Sequence, residues 1–228
     1  MRWRHPPHAV TRISNPVKLR LAPLLLIALL PACGREGELA DAAGGVYARR
    51  SACPIVGIPA ATGDITLFSP PGRTDAGAID VTATITNLRS VCDDTGNEII
   101  STATFDVLAN RRNAGPARQV VLPYFDVVLQ GGSEVVAKKV GYIALNFPAG
   151  NPRAQTRGQA TVRVSRAAAT LPDNVRQILT RERRPGDPQA AVDPLSDPNV
   201  RAAVARATFE QLVGFQLTQE QLRYNATR

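Results

Sequence analysis

The side chains best suited to chemistry in this 228-residue chain are three cysteines, Cys33, Cys53 and Cys92. Deprotonated thiols act as nucleophiles and metal ligands, and paired thiols form disulfides. Histidine, the usual partner of a catalytic thiol or hydroxyl, occurs only at positions 5 and 8, ahead of all three cysteines. A chain cut at Cys33 would therefore lack Ser/His/Asp and Cys/His catalysis and histidine-ligated zinc. We expect no catalytic residues, no metal and no cofactor.

Residues 1–32 have the composition of a secretory signal. They carry five Lys and Arg and no acid, followed by an apolar run from Leu21 to Leu30 and then Pro31-Ala32. Ten residues rise only about 15 Å as a helix, which is too short for a hydrocarbon layer of about 30 Å. We therefore expect cleavage before Cys33, and a flexible tether over residues 33–52, which are rich in Gly, Ala, Glu and Asp.

The four residues Leu30-Pro31-Ala32-Cys33 resemble the lipobox of bacterial lipoproteins, although Pro31 replaces the usual small residue. The resemblance implies a diacylglycerol thioether on Cys33 and an acyl chain, such as palmitate, on its freed amine. Two or more acyl chains anchor a protein stably to a membrane. Gly34 stands where an Asp often marks inner-membrane retention, so we expect an outer-membrane lipoprotein facing the periplasm. The alternative is that Cys33 merely ends an ordinary signal peptide.

Cys53 and Cys92 remain as an even pair. In the oxidising periplasm such a pair is expected to form a disulfide, which would close a loop of about 40 residues. A redox-active or metal-bound pair is the alternative, but the two cysteines lack the CxxC spacing.

The formal charge of +8 is unevenly distributed. Residues 1–32 supply +5, and the remaining 22 Lys and Arg face 19 Asp and Glu, so we expect no nucleic-acid partner. One acid-free basic stretch, residues 151–169, is a possible surface for an anionic glycan or lipid headgroup; its arginines are Arg153, Arg157, Arg163 and Arg166. The alternative is the solvated side of an edge strand, where charge opposes aggregation.

Period-two alternation predicts that residues 53–217 form a mainly β domain. It is clear in residues 79–86 and 99–109, and it places Val121, Phe125, Val127 and Leu129 together on one side of a further strand. Gln130-Gly131-Gly132-Ser133 predicts a hairpin turn into residues 134–147. With shorter strands near 65–68, 160–165 and 208–217, about seven strands favour an immunoglobulin-like antiparallel β-sandwich.

Residues 172–206 interrupt the β pattern with a helical, proline-rich insertion. Asp173 is a candidate cap for one helix, and Asp197-Pro198 predicts the start of another. A rival interpretation continues the second helix through Leu212. Thr218 and Gln221 predict a capping box for a short helix within residues 218–228, with Leu222 holding it against the sandwich.

Several of these features together resemble a group of uncharacterised lipoproteins from proteobacterial envelopes. The features are the lipobox, Cys53-Pro54, Cys92, Pro123-Tyr124-Phe125, Lys138 and VGFQLTQEQLRYN at 213–225. The resemblance covers most of residues 53–171 and 207–225, and residues 172–206 depart from it. It implies a small β-domain lipoprotein and supplies no activity, substrate or catalytic residue.

Three functional hypotheses follow from the sequence. The first is a noncatalytic adaptor or assembly factor that binds an envelope protein through a sheet edge or through residues 172–206. The second is a peptidoglycan- or glycan-binding module that uses the arginine-rich strand. The third is an enzyme, which would have to use carboxylates, Lys, Tyr or Ser.

Overall fold

The computed structural model describes residues 51–181, 186, 188 and 191–227. Within these residues, eight strands form two four-stranded sheets that pack as a β-sandwich. In chain order, the strands are β1 (Ile55–Gly57), β2 (Asp64–Phe68), β3 (Ile79–Asp93), β4 (Glu98–Arg111), β5 (Arg118–Gln130), β6 (Glu134–Phe147), β7 (Arg153–Ser165) and β8 (Phe209–Phe215).

The expected antiparallel sandwich is confirmed, with its helical segment and its short C-terminal helix. One sheet has the order β1-β8-β5-β6 and the other β2-β3-β4-β7. Every pairing is antiparallel except that of β1 with β8. Immunoglobulin domains share this two-sheet architecture but place their strands in a different order.

The core lies between the sheets and follows the alternation of the strands. On β4, Ile99, Ala103, Phe105 and Val107 are each at most 1% exposed, as predicted. On β5 the core does not follow the predicted grouping of odd-numbered residues: Val120, Leu122 and Val128 face the core clusters, while Val121 is 52% exposed and Val127 is buried. Both sides of this strand carry large apolar residues, so alternation alone could not choose between them.

Three aromatic side chains cover glycines on neighbouring strands. Phe105 lies opposite Gly158, Tyr124 opposite Gly141, and Phe125 opposite Gly214. A Cβ at any of these glycines would come within 2.7 Å of the aromatic ring or closer. The aromatic rings fill the space that a side chain would otherwise take. Phe105 and Tyr124 also pack edge-to-face, with ring centroids 5.5 Å apart.

Several strand boundaries differ from the prediction. Strand β1 was not expected. Strand β3 continues past an irregularity between Thr86 and Arg89 to Asp93 and therefore includes Cys92. Strand β7 begins at Arg153 rather than near residue 160. The predicted hairpin is confirmed, with Gly131 and Gly132 both at positive φ. β8 begins at Phe209, which excludes the rival helix through Leu212.

Helix α1 (Arg166–Ala169) follows β7 directly, and the insertion over residues 172–206 forms helices α2 (Asp173–Thr180) and α3 (Pro198–Arg206). As predicted, Asp197 caps α3 by accepting from the Asn199 N–H at 2.8 Å. Asp173 does not cap α2: Pro172 occupies that position, and Asp173 pairs with Arg176 in the first turn. α2 and α3 share a small separate core of Val175, Val200 and Ala203.

The C-terminal helix α4 (Gln219–Thr227) begins with the predicted capping box. The Thr218 N–H donates to Gln221 Oε1 at 2.9 Å, and the Gln221 N–H donates to Thr218 Oγ1 at 3.2 Å. Leu222 does not hold the helix, since it is 42% exposed. Tyr224 packs edge-to-face on Phe68, and Asn225 bonds the chain near β2.

Asn225 should contribute measurably to the attachment of α4. Its Nδ2 donates to Ala61 O at 2.9 Å and to Asp64 O at 2.7 Å. We expect Asn225→Ala to lower the free energy of unfolding by about 1–2 kcal/mol, because two hydrogen bonds are lost at a partly buried site. Urea denaturation measures this, with exposed Gln219→Ala as the control; equal stability of the two variants would contradict the assigned role.

Candidate functional site

The three cysteines predicted to do chemistry have different outcomes. Cys33 lies outside the described residues. Cys53 and Cys92 form the predicted disulfide, with the sulfurs 2.07 Å apart. Both cysteines pack against a core cluster that includes Ile99, Val128 and Phe209. The bridge thus ties the chain ahead of β1 to β3 in the other sheet, a structural rather than a reactive position.

Three of the four candidate arginines share one face. Arg153, Arg157 and Arg163 point outward from β7, which is an edge of its sheet. Arg166 instead begins α1, and its Nε donates to Gly96 O. The structure therefore separates Arg166 from the other three arginines.

Acids on β4 face two of these arginines. Arg157 Nε lies 3.1 Å from Asp106 Oδ1, and Arg163 Nε lies 3.7 Å from Glu98 Oε2. Hydrogen bonds from Asn87 and then Arg157 lower the pKa of Asp106. A shallow depression of about 480 Å³ lies beside Arg153, with neutral polar side chains from Asn110, Asn151 and Gln155. This face is polar and largely charge-balanced.

A polar chain of side chains crosses the sandwich interior. Ser101 Oγ donates to Gln211 Oε1 at 2.7 Å, and Gln211 Nε2 donates to Asp126 Oδ1 at 3.1 Å. Asp126 is 5% exposed, and Ser101 and Gln211 are fully buried. Burial raises the pKa of Asp126, against the opposing effects of the Gln211 hydrogen bond and of Lys139. A substrate cannot reach Ser101 or Gln211, because both are buried. Their hydrogen bond joins the two sheets, since Ser101 lies on β4 and Gln211 lies on β8.

Asp126 should make stability depend on pH. Its folded-state pKa is raised, so the folded chain keeps a proton that the unfolded chain loses. The free energy of unfolding therefore falls as pH rises above the ordinary carboxyl range of about 4, until both states are ionised. We expect the melting temperature of Asp126→Asn minus that of the wild type to increase between pH of about 4 and about 7. A pH-independent difference would contradict this, and exposed Asp94→Asn is the control.

Three of the four sheet edges are short or partly covered. β1 has three residues, and β2 has five, with Asn225 of α4 bonded to Asp64 O. On β7, the Tyr124 hydroxyl donates to Gln159 O at 3.0 Å. Uncovered edge strands attract other strands, so proteins commonly shorten or block them.

The fourth edge, β6, is long and open over its first half. Residues 134–140 are all exposed, on both faces of the strand. Val140 is 48% and Tyr142 73% exposed, and Val135 and Val136 are also exposed. Residues 134–142 are called the β6 edge below. An exposed apolar strand of this kind marks either an interaction site or an aggregation hazard.

The sequence carried a signal for this edge that the strand prediction did not use. In EVVAKKVGY, residues 134–142, valines occur side by side and lysines occur side by side. Neighbouring residues on a strand point to opposite faces, so neither face of this segment is uniformly apolar or polar. That pattern is typical of a strand whose two faces are both exposed to solvent. The links among Ser101, Gln211 and Asp126 had no such signal, because 110 residues separate Ser101 from Gln211.

Among the described residues, no helix has the length and hydropathy needed to cross a membrane. Within the same ranges, no group of three or more His, Cys, Asp or Glu side chains is placed to hold a metal ion. Comparisons with protein-family models, with curated proteins and with solved structures gave no match.

Proposed function

We propose that this chain is a lipid-anchored lipoprotein on the periplasmic face of the bacterial outer membrane, where it serves as a noncatalytic adaptor or assembly factor. The observation that carries the proposal is the β6 edge, whose backbone and valines are available to another protein. Pairing with a strand edge is a recurrent mode of protein recognition.

The location is supported by the lipobox at residues 30–33 and by the disulfide. A bridge between Cys53 and Cys92 fits an oxidising compartment, where structural disulfides persist. The similarity of residues 213–225 to envelope lipoproteins supports the same location. Acyl chains on Cys33 would hold the sandwich near the membrane through the residues between Cys33 and Cys53.

The noncatalytic assignment is supported by the positions of the polar side chains. An enzyme without histidine would need an accessible carboxylate beside a nucleophile or a second acid. Ser101 and Asp126 are linked through Gln211 but are buried between the sheets. On the outer face, Asp106 is engaged by Asn87 and Arg157.

Intact-mass analysis and co-purification test the proposal together. Wild-type protein extracted in mild detergent should begin at Cys33, carry acyl chains and gain two daltons on reduction. The Cys33→Ser variant should carry no acyl chains. A stoichiometric companion protein should co-purify with the wild type. An unmodified wild-type chain would contradict the anchor, and purification without any companion would contradict the adaptor function.

A glycan-binding module is the second candidate, favoured by Arg153, Arg157 and Arg163, which point outward together from β7 beside a polar depression. This function predicts sedimentation with isolated peptidoglycan, lost when Arg157 and Arg163 are both replaced by Ser. The adaptor proposal expects no sedimentation by either protein. The double variant removes two salt bridges, Arg157–Asp106 and Arg163–Glu98, whose arginines are both exposed, so its stability should change by less than about 1 kcal/mol per pair.

A further inference from the structure

The direction of the backbone hydrogen bonds alternates along β5, and this alternation shows which backbone N–H and C=O groups of β6 have no partner in the sheet. The Gln216 N–H donates to Pro123 O, so odd-numbered residues of β5 bond towards β8. Bonding direction alternates along an antiparallel strand, so even-numbered residues of β5 bond to β6. The register pairs Tyr124 with Gly141 and Asp126 with Lys139. The backbone groups of Lys138, Val140 and Tyr142 therefore point away from the sheet.

The same three residues place their side chains on the outer face. Their partners on β5, Val127, Phe125 and Pro123, lie on the side of the strand opposite the core residues Val120 and Leu122. Val140 and Tyr142 are exposed there beside Val121. A strand that bonds to the β6 edge would thus gain apolar neighbours on this face.

The charge at the centre of the edge selects the kind of occupant. Lys139 faces the core side, where it opposes Asp126. Lys138 faces outward with its Nζ 5.6 Å from the centroid of the Phe125 ring, and no salt bridge to it occurs among the described residues. An acidic residue on an added strand would lie beside this unpaired ammonium group.

A second copy of this chain fits the edge poorly when it pairs along the full length of residues 134–142. Residues 134–142 of two copies, paired antiparallel along their full length, would meet at the central residue and place Lys138 opposite Lys138. Like charges directly opposite each other destabilise a strand pair. The same lysine would favour a strand of another protein that carries a carboxylate at that point.

We propose that the β6 edge binds an extended segment of a partner protein by strand addition, with apolar residues alternating along one side of the segment and an acid opposite Lys138. This inference rests on the proposed adaptor function and specifies its contact surface. The partner segment bonds to the backbone of Lys138, Val140 and Tyr142, while its apolar side chains lie beside Val140 and Tyr142.

Two peptides serve as probes, acetyl-Val-Thr-Val-Thr-Glu-Thr-Val-Thr-Val-amide and the same peptide with Lys in place of Glu. Forms of both peptides in which fluorescein replaces the acetyl group are titrated by fluorescence anisotropy against the full chain in mild detergent. We expect the Glu peptide to bind below about 1 mM and the Lys peptide about fivefold more weakly. Lys138→Glu should reverse that order of affinity.

Matched proline variants locate the binding edge. Val140→Pro removes an outward N–H of β6 without removing a bond to β5, and proline is tolerated at such positions. Gln155→Pro does the same on β7, because the Arg111 N–H donates to Pro152 O and odd-numbered β7 residues therefore face outward. Val140→Pro should weaken Glu-peptide binding at least tenfold, and Gln155→Pro should leave it within about twofold. If Val140→Pro does not fold, the reversal of peptide affinities in Lys138→Glu decides whether the peptide binds at the β6 edge.

In the peptide and oligomeric-state measurements, four outcomes would overturn the inference: no binding below about 1 mM, equal binding to Val140→Pro, equal affinity for both peptides, or a wild-type dimer that Val140→Pro converts to a monomer. The last would assign the edge to a second copy. The adaptor proposal is judged separately. A companion protein that stays bound to Val140→Pro would support the adaptor function but contradict binding at the β6 edge. Loss of that companion from Val140→Pro but not from Gln155→Pro supports both.

Discussion

Replacing Cys53 and Cys92 together by Ser should lower the free energy of unfolding by about 4 kcal/mol. The two cysteines are 39 residues apart, and the chain-entropy model gives this value for a loop of that size. The melting temperature should fall by about 10 °C. The effect is large because total stability in domains of this kind is only about 5–15 kcal/mol.

A reductant provides the matched comparison for the disulfide. Both proteins carry Cys33→Ser, so that no other thiol or lipid contributes to the result. Reductant should lower the wild-type melting temperature to nearly that of the double variant and leave the variant unchanged. A difference below about 1 kcal/mol between the oxidised protein and the variant would contradict the stabilising role.

Arg111→Met should destabilise the sandwich by about 3–5 kcal/mol, because it leaves several carbonyls without a donor and each unsatisfied buried group costs about 1–3 kcal/mol. Arg111 is 5% exposed, and its guanidinium donates to four backbone carbonyls at 2.7–3.0 Å. These carbonyls belong to the loops after β4 and after β6, namely Gly115, Pro116, Pro148 and Asn151. The guanidinium carbon also lies 5.3 Å from the centroid of the Phe147 ring. Methionine supplies an apolar side chain of similar length but leaves the carbonyls without their donor.

Arg73→Met is the control for Arg111→Met, because Arg73 pairs with Asp75 at an exposed position. Exposed ion pairs contribute little, so its stability should change by less than about 1 kcal/mol. Urea denaturation measures both variants. Equal effects would mean that the buried carbonyls find water or other donors, contrary to the role assigned to Arg111.

The sequence predicted the fold well where one face of a strand is apolar and the other polar. The β4 core residues and the capping box of α4 are in this class, because local spacing determines both. On β5 the pattern could not tell which side faces the core, because VVLPYFDVVL is apolar on both sides and the polar Asp126 turns inward. Its partner Gln211 is 85 residues away, so no local pattern could reveal it.

Prediction of the candidate site had similar limits. The Cys53–Cys92 bridge followed from cysteine counting and compartment, which do not require three-dimensional contacts. The arginines were found by composition, but spacing could not reveal that Asp106 and Glu98 face them from β4. The openness of the β6 edge depends on which strands are neighbours in the sheet, and this is a property of the whole fold.

Amide hydrogen exchange across the β6 edge tests the central claim most directly. In the free protein, the amides of Lys138, Val140 and Tyr142 should exchange quickly, and those of Lys139 and Gly141 slowly, because the latter bond to β5. Adding the Glu peptide should slow exchange at the three even-numbered residues and leave the odd-numbered ones unchanged. Even-numbered amides that are already protected in the free monomer, or that the peptide leaves fast, would contradict an open edge that binds by strand addition.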